Sequence, residues 1–491
     1  MNPASYDVVD GVRTYKLFIG GAWTSSSRNI VADSLNPADG AVFARIQQAG
    51  ADEVLEAIGA AHAAFGKWGS SLASEREMIL LKTADVIERR TDEIRDMLID
   101  ECGSVFNKAL WEISYVTDCL RSAAGDVRHV MGETMPVTQP GQISMSVRRP
   151  LGVVAGIAPF NSPFLLSMKK IAFALAAGNT FVLKPSEETP ISGALIADIF
   201  DEAGLPAGVL NVVPGVPAEV GDLIMADPRV RLVTFTGSTR TGRKLAVEAA
   251  RHLKKFTLEM GGKSPLIVLK DADLDYAVDA AAFGVFLHQG QVCMANSKII
   301  LEAPIFDAFC ERFVAKAKTI PVGHPREATS VIGPLIRDSQ CAFIDAQLAE
   351  ATDKGATIVT GGKHEGRYFQ PTVLTGVTRD MRIYHEESFG PVVSLIRVED
   401  AEEALEVAND TEYGLSAAVI TNDLQKAMDL SLRLESGMVH VNDCTITDEP
   451  HVPFGGVKNS GFGREGGRSS WEELTEQKWI TIQLGKREFP F

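Results

Sequence analysis

The chain of 491 residues, with 45% apolar and 23% charged residues, is long enough to form two or three domains with cores of their own. Its formal net charge of −16 excludes a broad nucleic-acid-binding surface, because binding to phosphates needs clustered Lys and Arg. It has no apolar run long enough to cross a membrane and begins without a basic-then-apolar leader pattern, which predicts a cytoplasmic protein with no membrane partner.

The N-terminal part of the chain has helical patterning. From Ala51 to Gly103 apolar residues recur at helical spacing, and Ser74 with Glu77 has the S-x-x-E pattern of a capping box. We therefore predict a long helix that ends near Gly103. The segment 132–150 is rich in turn and β residues and predicts a protruding hairpin.

Short apolar runs alternate with helical segments from Val153 onward, and the alternation restarts after Ser264. This pattern predicts parallel sheets covered on both faces, in two α/β domains. The C-terminal tail KWITIQLGKREFPF alternates as an edge strand does, and an apolar edge usually pairs with something, so we expect a homodimer or homotetramer. The predicted strands are VVAGIAPF (153–160), TFVLKPS (180–186), VLNVVPG (209–215), VRLVTFTG (230–237), FTLEMGG (256–262), PLIVLKD, KIILEAP, ATIVTGG, PVVSLIRV, AAVITND and GMVHVND.

Cys293 lies in FLHQGQVCMANS, where a polar, Gly-containing segment interrupts an apolar helical run ahead of a strand. A loop in this position can expose a thiol, although a lone cysteine is more often a small buried apolar residue. The six cysteines include no CxxC pair and the nine histidines are dispersed, so we expect reduced thiols and no metal.

Two polar residues at strand ends are further catalytic candidates. Glu259 lies in an apolar strand before Gly261 and Gly262, where burial would raise its pKa and suit a general base; the alternative is a strand-end carboxylate bonded to the backbone. Asn161 follows an apolar strand and would ordinarily cap a helix, but its amide can also donate to an oxyanion.

Two strand-to-helix turns are candidates for cofactor binding. Gly237 and Ser238 follow a strand and precede a helix, where backbone N–H groups would face a phosphate, although the glycine spacing alone also fits an ordinary turn. Lys184 and Glu187 follow a strand at the sheet edge where open α/β sheets bind ligands, and could hold ribose hydroxyls or form a solvated turn.

Taken together, in this order and across about residues 17–491, these motifs resemble the aldehyde dehydrogenase superfamily. The motifs that carry the resemblance are PFNSPF (159–164), Lys170 ahead of ALAAGNT, VLKPSEETP (182–190), FTGST (235–239), LEMGGKSP (258–265), GQVC (290–293), EESFGP (386–391), YGLSA (413–417) and PFGGVKNSGFGREGG (453–467).

The resemblance implies an α/β fold with a variant Rossmann domain for NAD, a second α/β catalytic domain and a small β oligomerisation arm. On this chain the NAD-binding domain would comprise 1–131 and 151–261, and the catalytic domain 262–470. The arm would comprise 132–150 and 471–491.

The resemblance also implies roles for individual residues. Cys293 would be the nucleophile that forms a thioester, Glu259 the base that activates water, and Asn161 an oxyanion donor. Lys170 and Glu476 resemble a family pair implicated in proton relay. The residues matched to cofactor contacts are Phe160, Lys184, Glu187, Gly237, Ser238, Glu387 and Phe389.

For the cofactor, Glu187 favours NAD, because a carboxylate accepts from a free 2′-hydroxyl and repels a 2′-phosphate, while the nearby Lys184 leaves NADP possible.

The segment 440–456 looks like that of bacterial dehydrogenases for vanillin, salicylaldehyde or benzaldehyde, which implies an aromatic substrate. In it, Thr445, Thr447 and His451 would bond a ring hydroxyl or methoxy group. The residues expected to line the substrate pocket are Leu166, Leu287, Val292, Met294, Thr445, His451 and Phe454.

Other functions remain open at this point. Lys169 beside the pocket would suit a semialdehyde that carries a carboxylate, and an aliphatic aldehyde also fits. Transfer of the thioester to coenzyme A is disfavoured because such relatives usually lack the base that Glu259 supplies. A non-catalytic protein on the same scaffold would have lost at least one of the three catalytic residues.

Overall fold

The computed structural model covers residues 1–491 and contains two large sheets flanked by helices, with three smaller sheets. None of the helices has the length and apolar character that a membrane span requires. A four-stranded sheet, which the sequence did not predict, precedes the first helix; its strands are Tyr6–Val9, Val12–Tyr15, Val31–Leu35 and Val42–Gln47.

The first large sheet has eight strands, of which five neighbouring ones are parallel. Thr236 lies opposite Glu259 in this sheet, so both residues reach its carboxyl edge. The parallel strands, in sheet order, are Lys255–Glu259, Val230–Thr236, Val153–Ile157, Thr180–Lys184 and Leu210–Val212. Antiparallel strands extend both edges: Gly461–Phe462 at one, and Leu17–Ile19 and Ala22–Thr24 at the other.

Eight helices belong to this half of the molecule, and the long helix predicted to run from the capping box at Ser74 to Gly103 is in fact two, Ala73–Arg89 and Thr91–Cys102. Gly103 ends the latter with a φ of 66°, which glycine adopts without strain. The predicted capping box is wrong: the helix Ala73–Arg89 begins after Leu72, whose N–H donates to Glu75 at 2.9 Å, because Ser74 already lies in the first turn. The helices are Ala51–Trp68, Ala73–Arg89, Thr91–Cys102, Phe106–Asp126, Pro163–Ala176, Pro190–Glu202, Pro217–Ala226 and Thr239–Arg251.

The second large sheet has seven strands, all parallel except the edge strand Thr357–Thr360. The strand Thr372–Thr375 was not predicted. In sheet order the strands are Thr357–Thr360, Thr372–Thr375, Val392–Val398, Asn296–Glu302, Ser264–Val268, Ser416–Ile420 and Met438–Val441. The helices of this half are Leu274–Phe286, Ala303–Thr319, Asp338–Asp353, Arg382–His385, Ala401–Asn409 and Leu424–Arg433, and a small hairpin joins His364–Glu365 with Tyr368–Phe369.

The segment 132–150 and the C-terminal tail form one antiparallel sheet, as their patterns predicted. The strand Gln142–Pro150 pairs with Glu133–Met135 on one side and with Thr475–Gln483 on the other, which leaves the C-terminal strand at an edge. The helix Gly467–Leu474 leads directly into that strand.

Candidate active site

Cys293 lies in a strained loop between the helix Leu274–Phe286 and the strand Asn296–Glu302. His288 and Gln289, at φ of 50° and 58°, are both in the left-handed region that non-glycine residues avoid. Packing holds this conformation, since the Gln289 amide donates to Gly103 O at 3.2 Å and Pro334 O at 3.0 Å. Strain of this kind persists where the surroundings over-determine it, which is common at functional sites.

The Cys293 thiol is poorly acidic. Burial raises its pKa to about 12, and the nearby carboxylates of Glu387 and Glu259 add to the rise. The side chain is nevertheless half-buried rather than enclosed. A nucleophile in this state needs a base to accept its proton.

Glu259 ends its strand as a buried side chain with no hydrogen-bond partner on either carboxylate oxygen. Burial raises its pKa well above the usual range, as does repulsion from Glu465, while Lys170 and Lys169 act in the opposite direction. A carboxyl group that is raised in pKa and free of partners has the properties of a general base.

Lys170 is buried behind Glu259, but its partner is not the predicted one. Its ammonium group donates to Glu465 and, at 3.1 Å, to Thr234. Glu476 lies on the surface of the C-terminal strand, 3.8 Å from Arg231. The prediction of a Lys170–Glu476 pair is therefore wrong. The helix Gly467–Leu474 separates Glu476 from the motif that contains Glu465, and Glu476 lies on the exposed strand that follows this helix.

Asn161 does not cap the following helix, since Ser162 occupies the capping position. Its side-chain amide donates to Gln291 O at 2.9 Å, in the loop that carries Cys293. One N–H of the amide is used in this bond and the second remains for an oxyanion. On the main-chain side, Lys108 donates to Asn161 O at 2.9 Å.

The turns predicted for cofactor binding lie on the same side of the first sheet as Glu259. Gly237 N–H donates to Glu259 O at 3.0 Å, and the exposed Ser238 begins the helix Thr239–Arg251. Lys184 is buried at the end of its strand and lies 3.3 Å from the carboxylate of Glu187, whose side chain is 53% exposed. A helix N-terminus beside an exposed carboxylate provides contacts for a pyrophosphate and a ribose.

Glu387 and Phe389 approach Cys293 from the second half of the molecule. Glu387 accepts from Gly262 N–H at 3.1 Å, and burial raises its pKa to about 7. Phe389, at a φ of 48°, packs edge-on against Phe160 with ring centroids 5.8 Å apart. A hydrogen-bonded carboxyl near the thiol, with an aromatic ring two residues further along the same segment, would suit a nicotinamide riboside.

Apolar side chains surround the thiol, as predicted for the substrate pocket. Leu287 and Val292 are half-buried and pack with Cys293 against Met294 and Phe454. The remaining apolar candidate, Leu166, is half-buried against the core between the helices and the first sheet. These walls suit an apolar substrate such as an aromatic ring.

The polar residues predicted to bond the ring substituent have other partners or are exposed to solvent in this structure. Thr445 is fully buried and its hydroxyl bonds Asn296 at 2.5 Å. Thr447 bonds Asp443 at 3.1 Å, and the side chain of His451 is 66% exposed beside Glu449. The loop directs these side chains into its own interior or to solvent, which periodicity could not predict.

A buried cluster that the sequence did not predict lies beside the apolar walls. Lys169 donates to both carboxylate oxygens of Asp448, at 3.0 and 2.8 Å, and Tyr115 OH donates to one of them at 2.7 Å. Asp448 lies 333 residues from Tyr115 in sequence, so no motif relates them. No group of His, Cys, Asp and Glu is arranged to hold a metal ion.

Comparisons with known proteins agree with this geometry. The aldehyde dehydrogenase family model matches residues 23–480. Benzaldehyde dehydrogenase YfmT of Bacillus subtilis is 44% identical over 97% of this chain and 98% of its own length, and a vanillin dehydrogenase of Pseudomonas fluorescens is 42% identical over 96% and 99%.

Among solved structures, salicylaldehyde dehydrogenase from Pseudomonas putida G7, complexed with salicylaldehyde, superposes with a TM-score of 0.95 at 40% identity and covers 97% of this chain and 99% of that one. The fold implied by the sequence motifs is thereby confirmed. This chain therefore belongs to the aldehyde dehydrogenase family and is an oxidoreductase that acts on aldehydes with NAD or NADP as its cofactor.

Proposed function

We propose that this enzyme oxidises an aromatic aldehyde to the carboxylic acid through a thioester on Cys293. The observation that carries the proposal is the combination of a half-buried thiol packed against an apolar cluster, an unpartnered buried carboxyl at Glu259, and the Asn161 amide bonded to the loop that carries the thiol. Relatives named for benzaldehyde and vanillin, and a similar structure that holds salicylaldehyde, support an aromatic substrate.

The side chains supply each step of the chemistry. Cys293 gives its proton to Glu259, and the sulfur attacks the aldehyde carbon, so that the carbonyl oxygen becomes an oxyanion stabilised by Asn161 and the Cys293 N–H. A nicotinamide held near Glu387 and Phe389 would supply the acceptor for the hydride lost from this carbon when the thioester forms. Glu259, after releasing its first proton to solvent, takes another from water, the water oxygen attacks the thioester, and the acid and the Cys293 thiolate separate.

Two substitutions test this assignment. Cys293→Ala should abolish NADH formation, and Glu259→Gln should slow both the first turnover of NADH and the steady state, because the thiol and the hydrolytic water give their protons to the same carboxylate. Rapid-mixing absorbance at 340 nm measures both, with Cys310→Ala, a half-buried thiol on the helix Ala303–Thr319, as the control. Unchanged steady-state turnover in Glu259→Gln would contradict the role of this residue.

The acceptor of the acyl group is water in this proposal, since Glu259 is present and buried beside the thiol. Product analysis with and without coenzyme A tests this point. The free acid should be the product in both cases, and formation of an acyl-coenzyme A would instead place the enzyme among the acylating relatives.

We propose NAD as the preferred cofactor. The exposed Glu187 carboxylate would accept from a free 2′-hydroxyl and repel a 2′-phosphate. The ratio of kcat/KM for NAD to that for NADP should exceed one and should fall in Glu187→Gln, with Glu188→Gln as the control on the neighbouring residue. A ratio that Glu187→Gln leaves unchanged would assign the preference to other groups.

A semialdehyde with a carboxylate at its far end is disfavoured by the charges near the pocket. Lys169, the one cation that favoured such a substrate, is neutralised by both oxygens of Asp448. We expect kcat/KM to be higher for benzaldehyde and vanillin than for a medium-length aliphatic aldehyde, and lowest for succinate semialdehyde. The reverse order would replace the aromatic proposal by one of the alternatives.

A further inference from the structure

The cluster of Tyr115, Asp448 and Lys169 is a polar group packed against the apolar cluster that contains Cys293. Lys169 is 2% exposed and Tyr115 is 7% exposed, and the Asp448 side chain is 7% exposed. Burying a charged pair is costly and is often no more stable than an apolar replacement. The enzyme therefore carries a polar group here at a cost in folding energy, which is consistent with a role in binding.

The cluster lies close to the reacting thiol. The Lys169 ammonium group is 4.4 Å from the centre of the Phe454 ring, and Phe454 packs in the same apolar cluster as Cys293. Asp448 is near enough for its charge to contribute to the raised pKa of Cys293. An aromatic ring bound with its aldehyde group at Cys293 would thus lie close to this cluster.

The protonation states of the cluster follow from its contacts. Burial lowers the pKa of Lys169, but Asp448 and Glu465 more than offset it, so the net shift is upward and the group stays an ammonium ion. Burial and the Asp448 charge raise the pKa of Tyr115, so it stays a phenol and a donor. Every donor of the cluster thus points to Asp448, and the Lys169–Asp448 pair has no net charge.

Asp448 retains capacity for one more hydrogen bond. A carboxylate offers about four acceptor positions on its two oxygens. Lys169 uses one on each oxygen and Tyr115 uses a second on Oδ2, which leaves a position on Oδ1. A group that fills it must be a donor, and an ether oxygen or a carboxylate cannot do so.

We propose that Asp448, held by Lys169 and Tyr115, accepts a hydrogen bond from a hydroxyl group on the ring of the aldehyde substrate and so determines specificity for hydroxylated aromatic aldehydes. This inference rests on the proposed function. It replaces the assignment of that role to Thr445, Thr447 and His451.

The first test uses the unmodified enzyme with NAD. For each ring position, kcat/KM of the hydroxybenzaldehyde is divided by that of the methoxybenzaldehyde, at a pH where the phenol is protonated. We expect this ratio to exceed about 10 for at least one position, because a hydrogen bond to a charged acceptor that is lost in the methoxy compound costs a factor of that order. A ratio near one at all three positions would overturn the inference.

The second test removes the cluster. Lys169→Met together with Asp448→Leu replaces the ion pair by apolar side chains of similar volume, and should bring the ratio to near one. Where that protein does not fold, Asp448→Asn keeps the shape and exchanges a charged acceptor for a weaker neutral one, so the ratio should fall about threefold or more. His451→Ala, on an exposed side chain of the same loop, is the control and should keep the ratio.

The ratio of the two kcat/KM values distinguishes this inference from the proposed function. A general loss of activity lowers both values equally and leaves their ratio unchanged. An unmodified enzyme that oxidises no aromatic aldehyde contradicts the proposed function. An enzyme that oxidises all of them, with a preference for the hydroxyl that survives in the double variant, contradicts only the role of Asp448.

Discussion

Cys293 and Glu259 both have raised pKa values, so both hold their protons more tightly than free side chains do. The raised pKa of Glu259 keeps it neutral until the pH is well above the usual value of about 4.3, and only the ionised form can take a proton from water. Hydrolysis of the thioester should therefore accelerate as the pH rises through the Glu259 pKa.

Single-turnover rates of thioester hydrolysis against pH test this prediction. The rising limb should lie well above the usual range for Glu and should disappear in Glu259→Gln, whose amide has no proton to lose. A limb at the ordinary pKa of Glu, or one that persists in Glu259→Gln, would contradict the assignment.

A second buried pair acts on the oxyanion donor. Lys108 donates to Asn161 O at 2.9 Å and is itself bonded to Glu112, which accepts from Phe164 N–H at 3.1 Å and Leu165 N–H at 2.9 Å. Lys108 thus holds the main chain at Asn161, and Glu112 holds the start of the helix Pro163–Ala176. They are positioning residues, because neither reaches the thiol.

A double-mutant cycle tests this role. Lys108→Met should lower kcat/KM about tenfold by displacing the Asn161 amide, and should add little in an Asn161→Ala background, where the amide that Lys108 positions is absent. Lys82→Met, on an exposed helix position, is the control. Equal losses in both backgrounds would show that Lys108 acts only on general stability.

The sequence singled out the residues that we propose do the chemistry, and it missed those that support them. Cys293, Glu259 and Asn161 lie in short motifs whose spacing is local. Asp448 and Lys108 have partners tens or hundreds of residues away, and only the packing of helices on sheets brings them together.

Among the elements, two helices have a Ser or Thr at the capping position whose side chain makes no capping hydrogen bond. Ser162 and Thr189 occupy the capping positions of the helices Pro163–Ala176 and Pro190–Glu202, but neither side chain accepts a bond. Buried glutamates from other helices, Glu112 and Glu101, accept from the first free N–H groups instead. This arrangement satisfies the helix ends and ties neighbouring helices to one another.

Removal of one such glutamate should destabilise the protein. Glu101→Leu leaves the buried N–H groups of Ile191 and Ser192 without acceptors, which costs about 1–3 kcal/mol for each donor. Glu88→Leu removes an exposed partner of Arg121 and should cost less than about 1 kcal/mol. Urea denaturation measures both, and equal effects would contradict a capping role for Glu101.

Periodicity predicted these elements unevenly. The buried parallel strands appear as apolar runs, and all eleven predicted strands overlap strands of the structure. The mixed four-stranded sheet before Ala51 was missed, because its short and partly exposed strands lack such runs. The capping box at Ser74 was wrong because the helix begins two residues earlier than predicted. Glu75, rather than Glu77, accepts from the N–H of the capping residue, which is Leu72.

At the scale of the whole molecule, we propose that the domains follow the sheets. The eight-stranded sheet would form the cofactor domain and the seven-stranded sheet the catalytic domain, with the boundaries given by the resemblance. The strand Gly461–Phe462 crosses that division, since it pairs with Lys255–Glu259 of the first sheet. Limited proteolysis between the two halves would test whether they separate as units.

The three-stranded arm is too exposed to be stable by itself, and we propose that it binds a second copy of the chain. Its C-terminal strand is exposed on both faces, and Trp479, Ile482 and Leu484 are 70%, 42% and 68% exposed. A small sheet needs a covering partner to be stable in water, and an apolar edge strand attracts one. The unmodified enzyme should therefore sediment as a dimer or tetramer of the 52.9 kDa chain.

Lysine substitutions on the arm should weaken this assembly. Ile482→Lys with Leu484→Lys would place two charges in the contact, and the protein should shift toward smaller species in sedimentation velocity. Leu432→Lys is the matched control, because Leu432 is 81% exposed on a helix away from the arm and a lone exposed apolar residue needs no partner. A monomeric unmodified enzyme, or an equal effect of the control, would mean that the arm is not the contact between subunits.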